Sequence, residues 1–206
     1  MTPAEIRKQL RITRNTLTPS QQSKHAQQAL QNFIQLLKSQ TDFNRPQKIA
    51  LFLPQDGELD THKTIEFLWN KTEHQIYLPV LETKDEWHMA FVQYTPQSVM
   101  QNNQFGIKEP YAATKYNLSG EQIYWVFMSL FAYDKNGIRL VMCGGYYDRP
   151  YAFKLNSESH TTKLIGWAHS CQQTESLLPS EPWDVPLDGI LTETGYSSFL
   201  TERTFC

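Results

Sequence analysis

The sequence predicts an α/β fold, a single domain with a mostly parallel (mixed) central sheet and helices on both faces. Short apolar runs typical of buried strands alternate with segments whose apolar residues recur at helical spacing. The most apolar run, "QIYWVFMSLFAY" at 122–133, is expected to be a central strand. Because no repeat, low-complexity segment or linker interrupts this alternation, residues 1–206 are predicted to be one domain.

Two helices are predicted near the start of the chain. Residues 4–15 carry apolar side chains on one side of a short basic helix. "TPSQ" at 18–21 then has the residue types of a helix start. Thr18 is suited to cap the helix, Pro19 to occupy its first position and Gln21 to complete a capping box.

The next segments predict a parallel crossover unit, because strand, helix and strand follow one another at 49–54, 61–71 and 75–81. The stretch 95–120 is expected to be mostly loop. Pro150 must lie in the first turn of any helix that begins with "YYDRPYAFKL". Further strands are predicted at 88–94, 163–169 and 187–193.

Composition limits the classes of partner. A chain of 206 residues with 40% hydrophobic residues can build one sizeable core. Its net charge of -2 provides no overall attraction to nucleic acid or to an acidic membrane. The first residues lack a signal peptide pattern, and no apolar run reaches the ~20 residues that span a bilayer. The three scattered cysteines are typical of a reducing compartment, so a cytoplasmic location is expected.

A candidate site lies in "GIRLVMCGGYYDR" at 137–149. The backbone amides of Gly144 and Gly145 can turn toward an anion, because glycine permits positive φ and close approach. Arg139 can bind phosphate oxygens, and Asp148 offers an oxygen ligand for Mg²⁺. The alternative is a glycine turn that merely ends a strand, since no Walker or GxGxxG pattern accompanies the loop.

Six segments resemble a known family. "FAYDKNGIRLVMCGGYYDR" resembles the C-terminal motif of the 5-formyltetrahydrofolate cyclo-ligase (5,10-methenyltetrahydrofolate synthetase) family, Phe-Asp-x-x-Gly-x-Arg-Leu-Gly-x-Gly-x-Gly-Tyr-Tyr-Asp-Arg. "RKQLR" resembles its N-terminal basic segment, with Arg7 in place of lysine. The other segments that match in order are "DGELDTHKTIEFL", "YLPVL", "FGIKEP" and "WDVPLDGILTETG". The resemblance covers nearly the whole chain.

The resemblance implies an ATP- and Mg²⁺-dependent cyclo-ligase. Such an enzyme converts 5-formyltetrahydrofolate to 5,10-methenyltetrahydrofolate through a phosphorylated formyl intermediate, with release of ADP and phosphate. The implied substrate is a small folate, with or without a polyglutamate tail. A monomer that binds neither nucleic acid nor membrane is expected.

The resemblance also implies roles for individual residues. Arg139, Tyr146 and Asp148 would be catalytic, and Asp148 and Asp188 would hold Mg²⁺. The implied folate site comprises Leu53, Glu58, Gly145 and Tyr146. The implied ATP site comprises Arg7, Arg11, Arg139, Leu140, Val141, Met142, Cys143, Gly144, Gly145, Tyr146 and Tyr147.

Two residues depart from the family pattern, because Val141 and Cys143 stand where the family has glycine. If positive φ is required at position 141, a β-branched valine there costs on the order of 1–2 kcal/mol. A folate- or nucleotide-binding relative with impaired or lost turnover is therefore the alternative function. A sugar-phosphate isomerase or acyl-CoA transferase with a similar α/β layout is a third, which would show no ATP dependence.

Simpler interpretations exist for several of these residues. Arg7 and Arg11 could form a solvated helix face, and Asp188 could be a turn residue. His169 and Cys171 can bind metals, but two ligands on one predicted strand do not make a zinc site. The motif around Cys143 contains no histidine to activate the thiol as a nucleophile.

Overall fold

The computed structural model of the chain describes residues 1–40, 45–82, 88–103, 106–111, 117–141, 147–156 and 161–199. The helices in these ranges are α1 (Pro3–Asn15), α2 (Pro19–Ser39), α3 (His62–Lys71) and α4 (Asp148–Tyr151). The strands are β1 (Lys48–Ala50), β2 (Gln75–Glu82), β3 (His88–Gln93), β4 (Met100–Asn102), β5 (Lys108–Pro110), β6 (Trp125–Met128), β7 (Ala132–Tyr133), β8 (Arg139–Leu140), β9 (Lys163–Trp167), β10 (Gly189–Thr192) and β11 (Gly195–Ser198).

Seven of these strands form one mixed sheet in the order β11-β10-β9-β6-β1-β2-β3. The inner pairs are parallel, whereas the edge strands β3 and β11 run antiparallel to their neighbours. The predicted crossover unit is confirmed, since β1 and β2 are parallel and α3 connects them. In the described ranges, no helix is long and apolar enough to cross a bilayer.

Both faces of the sheet are buried, as the predicted fold class requires. Alternate side chains of β6 belong to different hydrophobic clusters, with Trp125 and Phe127 in one and Val126 and Met128 in the other. α2 and α3 cover the first face, where Phe33 packs edge-on against aromatic rings of the sheet. α4 and the loops around it cover the second face.

The helix starts follow the predicted cap chemistry. Thr18 and Gln21 form a complete capping box at the start of α2, with Pro19 at the first position. α1 begins with a second capping box, between Thr2 and Glu5. These caps satisfy backbone N–H groups that would otherwise lack partners at each helix start.

The predicted central strand at 122–133 is too long. The chain leaves the sheet after Met128 and forms a separate two-stranded ribbon from β7 and β8. In the segment between β6 and β7, the carbonyls of Leu130 and Phe131 accept hydrogen bonds from the side-chain amide of Gln172, at 2.6 Å and 3.2 Å. These buried carbonyls therefore obtain partners without a neighbouring strand, so high apolarity did not require a continuous strand.

Three other predictions of secondary structure need correction. β1 ends at Ala50, well before the predicted end at Pro54. The stretch predicted to be mostly loop contains the β4–β5 hairpin, whose connection includes Gly106 at φ 74°. The last strand was predicted without its partner β11. The sequence of β11, Gly-Tyr-Ser-Ser, has too few apolar residues to be recognised as an apolar run. Pro150 does lie in the first turn of α4, as predicted.

Candidate functional site

The β7–β8 ribbon positions the start of the glycine loop. Its turn is stabilised by Asp134, whose Oδ1 accepts hydrogen bonds from the backbone N–H groups of Asn136 (2.9 Å) and Ile138 (3.0 Å). Gly137 has φ 79°, and a Cβ there would lie 2.9 Å from the carbonyl oxygen of Leu187. The glycine loop therefore follows β8 of the ribbon rather than the central strand of the sheet.

A buried ion pair joins the two ends of this loop. Arg139 on β8 donates through Nη2 to Oδ1 of Asp148 at 2.8 Å. The same carboxylate oxygen accepts the backbone N–H of Val185 at 3.1 Å, and the Val185 carbonyl accepts Arg139 Nη1. Asp148 is only 8% exposed and Arg139 only 7%, so both charges are buried.

Each member of the pair retains an atom for a ligand. In the part of the chain that the structure describes, the buried Nε of Arg139 has no hydrogen-bond partner. None of the described residues hydrogen-bonds to Oδ2 of Asp148 either. An unsatisfied guanidinium N–H next to a carboxylate oxygen suits phosphate and a hard cation, respectively.

Val141 shows no sign of the predicted strain. Asp56 is the non-glycine residue with positive φ in the described ranges, so Val141 does not adopt the left-handed conformation. Its side chain packs against the hydrophobic cluster on the α4 face. Its carbonyl accepts a hydrogen bond from Nε of Arg7 at 2.9 Å, which connects α1 to the glycine loop. The prediction of backbone strain at Val141 is therefore wrong.

The central part of the loop lies outside the described residues. The predicted roles of its backbone amides, and the reactivity considered for the cysteine, therefore stay predictions. The residues of the loop that lie outside the described ranges are Met142, Cys143, Gly144, Gly145 and Tyr146. The flanking residues are described: Leu140 is buried, and Tyr147 packs against the α4-face cluster.

A second loop, at 51–61 after β1, is held by arginines of α1. Arg11 Nε lies 2.6 Å from Oδ2 of Asp56, and Arg14 Nη2 lies 3.0 Å from the same oxygen. Arg14 also donates from Nε to the Asp56 carbonyl at 2.9 Å and stacks over the Phe131 ring. Sequence reasoning missed Arg14, although Arg7, Arg11 and Arg14 have the i, i+4, i+7 spacing of one helix face.

Glu58 in this loop is held in a position to accept hydrogen bonds. Its side chain is 18% exposed, and Oε2 accepts the backbone N–H of Gln55 at 3.0 Å. Burial raises the pKa of the Glu58 carboxyl, and the charge of Arg14, 4.0 Å away, opposes part of that rise. The pKa of Tyr147 is also raised, first by burial and then by the Glu58 carboxylate, while Arg139 lowers it. Tyr147 therefore lies close enough to both Glu58 and Arg139 to interact with each of them electrostatically.

Asp188 and Leu53, the remaining predicted site residues, contact parts of the protein other than the glycine loop. Asp188 precedes β10 and is 4% exposed, with Oδ2 2.7 Å from the backbone N–H of Leu164 and 3.0 Å from Lys154 Nζ. A metal ion bound there must compete with the lysine, so the role of Asp188 as a second carboxylate ligand stays a prediction. Leu53 is half-buried and packs against the α2–α3 face of the sheet.

Comparison with known proteins identifies the family of the chain. Residues 2–193 match the model of the 5-formyltetrahydrofolate cyclo-ligase family. The chain is 37% identical over 187 residues to the 5-formyltetrahydrofolate cyclo-ligase of Haemophilus influenzae, covering 91% of this chain and 95% of the relative. It is 36% identical over 186 residues to the enzyme of the same name from Escherichia coli K12, covering 89% and 96%.

Solved structures agree as well. The NMR structure of Aquifex aeolicus 5,10-methenyltetrahydrofolate synthetase matches with a TM-score of 0.77 and 25% identity, covering 100% of this chain and 97% of that one. A synthetase of the same name from Mycoplasma pneumoniae matches in fold, with a TM-score of 0.68 over 94% and 99% of the two chains. The chain therefore belongs to the 5-formyltetrahydrofolate cyclo-ligase family, and the resemblance found in its motifs is confirmed.

Proposed function

We propose that the protein catalyses the ATP- and Mg²⁺-dependent cyclisation of 5-formyltetrahydrofolate to 5,10-methenyltetrahydrofolate. Family membership supports the reaction, and one structural observation supports its location. The buried Arg139–Asp148 pair joins the ends of the glycine loop, and Tyr147 in this loop lies within electrostatic range of both Arg139 and Glu58 on the loop after β1. Tyr147 therefore links the groups that we propose bind phosphate and pterin. The scattered cysteines support the cytoplasm as the location.

The described residues suit a nucleotide and a magnesium ion. Arg139 would bind phosphate oxygens through its unpartnered Nε, and Asp148 would hold Mg²⁺ through Oδ2. Arg7 would bring a further positive charge, since it is already bonded to the loop at Val141. When bound, Mg²⁺ supplies charge neutralisation on the phosphates.

Glu58 suits the pterin. Its carboxylate offers acceptor oxygens for the amino and ring N–H groups of that ring system. The Gln55 N–H holds one oxygen in place, so less side-chain freedom is lost when the ligand binds. The partial burial that raises the Glu58 pKa also strengthens any charged hydrogen bond that the carboxylate makes.

The proposed chemistry requires no protein nucleophile. The formyl oxygen attacks the γ-phosphorus of ATP, and the bond to ADP breaks. The neighbouring folate nitrogen then attacks the formyl carbon and loses its proton, while the carbon–oxygen bond breaks to release phosphate. The protein's residues position the two substrates and neutralise developing charge, which accounts for catalysis of phosphoryl transfer in general.

A turnover assay tests the proposal. The protein, Mg²⁺-ATP and 5-formyltetrahydrofolate are mixed, and absorbance of the methenyl product is followed together with ADP release. We expect one ADP per methenyl product and no product without ATP. Binding of either substrate without product would favour the alternative, a ligand-binding relative without turnover.

We expect Asp148→Ala and Asp148→Asn to differ in stability but not in activity. Alanine leaves Arg139 buried without its partner, so the free energy of unfolding should fall by about 3–5 kcal/mol. Asparagine keeps an acceptor for Arg139 and for the Val185 N–H, so the free energy of unfolding should fall less in Asp148→Asn than in Asp148→Ala. Both variants should lack turnover at Mg²⁺ concentrations that saturate the wild type. Denaturant unfolding and the methenyl assay check this, with exposed Glu181→Gln as the control. Wild-type turnover by Asp148→Asn would refute the metal assignment.

Glu58→Gln should weaken folate binding while sparing the fold. Replacing a charged acceptor by an amide should raise the Kd for 5-formyltetrahydrofolate about 10–100-fold. Because the folded-state pKa of Glu58 is raised, ionisation costs stability as pH rises from the ordinary range of glutamate through the raised value. The melting temperature of the variant relative to wild type should therefore be higher at pH 8 than at pH 4.5. Exposed Glu66→Gln is the control, and unchanged folate affinity in Glu58→Gln would exclude the pterin role.

Val141→Gly should destabilise the protein without improving catalysis. The valine has no positive φ to relieve, and its side chain contributes to a hydrophobic cluster. Loss of that packing and gain of backbone freedom should lower the free energy of unfolding by about 1–2 kcal/mol. Denaturant unfolding and steady-state kinetics with ATP check this. A higher kcat or a lower KM for ATP would show instead that the valine crowds the phosphate space.

A further inference from the structure

Three metal-capable side chains meet at the carboxyl edge of the sheet. His169 follows β9 and Glu193 follows β10, two adjacent parallel strands whose ends lie side by side. α2 brings His25 to the same place, where the helix is bonded to the strand end through Asn32 and the Thr192 carbonyl. One potential ligand atom from each of the three residues lies within 4.8 Å of the other two.

The two histidines face each other through the same ring atom. The Nδ1 atoms of His25 and His169 are 2.9 Å apart, so one of them must carry a hydrogen and the other a lone pair. His169 Nε2 lies 3.2 Å from the carbonyl oxygen of Gly57, which can only accept, so Nε2 carries the hydrogen. A neutral imidazole carries one N–H only, so Nδ1 of His169 presents a lone pair toward His25.

Glu193 is held by a neighbour of His169. Its Oε2 accepts the backbone N–H of Ser170 at 2.9 Å, and its Oε1 accepts the Ser170 hydroxyl. Oε1 lies 3.8 Å from Nδ1 of His25. Metal-binding imidazoles and carboxylates commonly have their remaining polar atoms fixed in this way, as Gly57 fixes His169 and Ser170 fixes Glu193 here.

We propose that His25 Nδ1, His169 Nδ1 and the Glu193 carboxylate form a binding site for one divalent transition-metal cation of the zinc type. Tetrahedral coordination at Zn–N and Zn–O bonds of ~2.1 Å separates ligand atoms by about 3.4 Å. The observed 2.9 Å and 3.8 Å bracket that spacing, so small shifts of side chains suffice. On binding, the hydrogen between the two rings moves from Nδ1 to Nε2 of His25, the metal ion takes its place, and water completes the fourth position.

The surrounding charges permit this cation. Arg14 is the nearby positive charge, and it forms an ion pair with Asp56. Glu193 supplies a negative charge within the cluster. Two imidazoles and one carboxylate with an open position form a known type of zinc ligand set. The site is independent of the proposed cyclisation, although Gly57 connects it to the loop that carries Glu58.

His169 and Cys171 by themselves do not identify this site, for two structural reasons. His169 comes after β9 rather than on it, and its partners are distant in the sequence. Cys171 is not part of the group of three ligands. Nothing near His169 in the sequence identifies His25 or Glu193, because the contact depends on how α2 crosses the ends of β9 and β10.

The test measures metal binding by the untagged, full-length chain after treatment with a chelator and without nucleotide. Zn²⁺ is titrated against a chromophoric chelator, and Co²⁺ is used as a spectroscopic substitute. We expect one Zn²⁺ per chain, a Co²⁺ visible spectrum of tetrahedral intensity, and a higher melting temperature with Zn²⁺. Absence of binding by the wild type would overturn the site.

Variants locate the site. His25→Gln and Glu193→Gln should each raise the Kd for Zn²⁺ by more than ~100-fold, since loss of even an indirect contact to a ligand costs ~10–100-fold. His62→Gln is the matched control, because His62 also lies next to a carboxylate, Asp60 at 2.7 Å, but is exposed. His25 is partly exposed on a helix, so circular dichroism should show that His25→Gln folds. Equal affinity in His25→Gln and wild type, or loss of binding only in His62→Gln, would overturn the proposal.

Discussion

The buried Arg139–Asp148 pair is the interaction on which the candidate site depends. Desolvating two charges is costly, and such pairs add little net stability compared with apolar residues of the same size. Once formed, however, the pair cannot lose one member without leaving a buried charge. It therefore fixes where the glycine loop leaves the ribbon and where α4 begins, and Val185 bonds to both partners.

α1 extends this organisation to the loop after β1. Arg7 bonds to Val141 in the glycine loop, while Arg11 and Arg14 bind Asp56. One face of one helix thus connects two loops that are far apart in sequence. Helices hold side chains at regular intervals, so a single element can set the distance between the glycine loop and the loop that carries Glu58.

Much of this could be predicted from local sequence. The capping box of α2, the crossover unit and the family motifs each depend on residues close together in the chain, and all are confirmed. The central strand predicted at 122–133 was right in place, since β6 is the middle strand of the sheet, but too long. High apolarity indicates burial and not a continuous strand, and Gln172 from a distant segment bonds to the carbonyls that follow β6. The prediction of backbone strain at Val141 was wrong because a family pattern of glycine does not by itself specify φ at each position.

By itself, the sequence determined the α/β class, the helix starts, the family and the identity of the charged residues, because these follow from periodicity, cap chemistry and contiguous motifs. Only the tertiary structure decided which charges are buried together. Arg139 meets Asp148 and Val185, Arg14 meets Asp56, and His25 meets His169 and Glu193. The physical reason is that parallel strands end at a common edge, where packing of helices across them brings together residues whose separation in sequence carries no record of the contact.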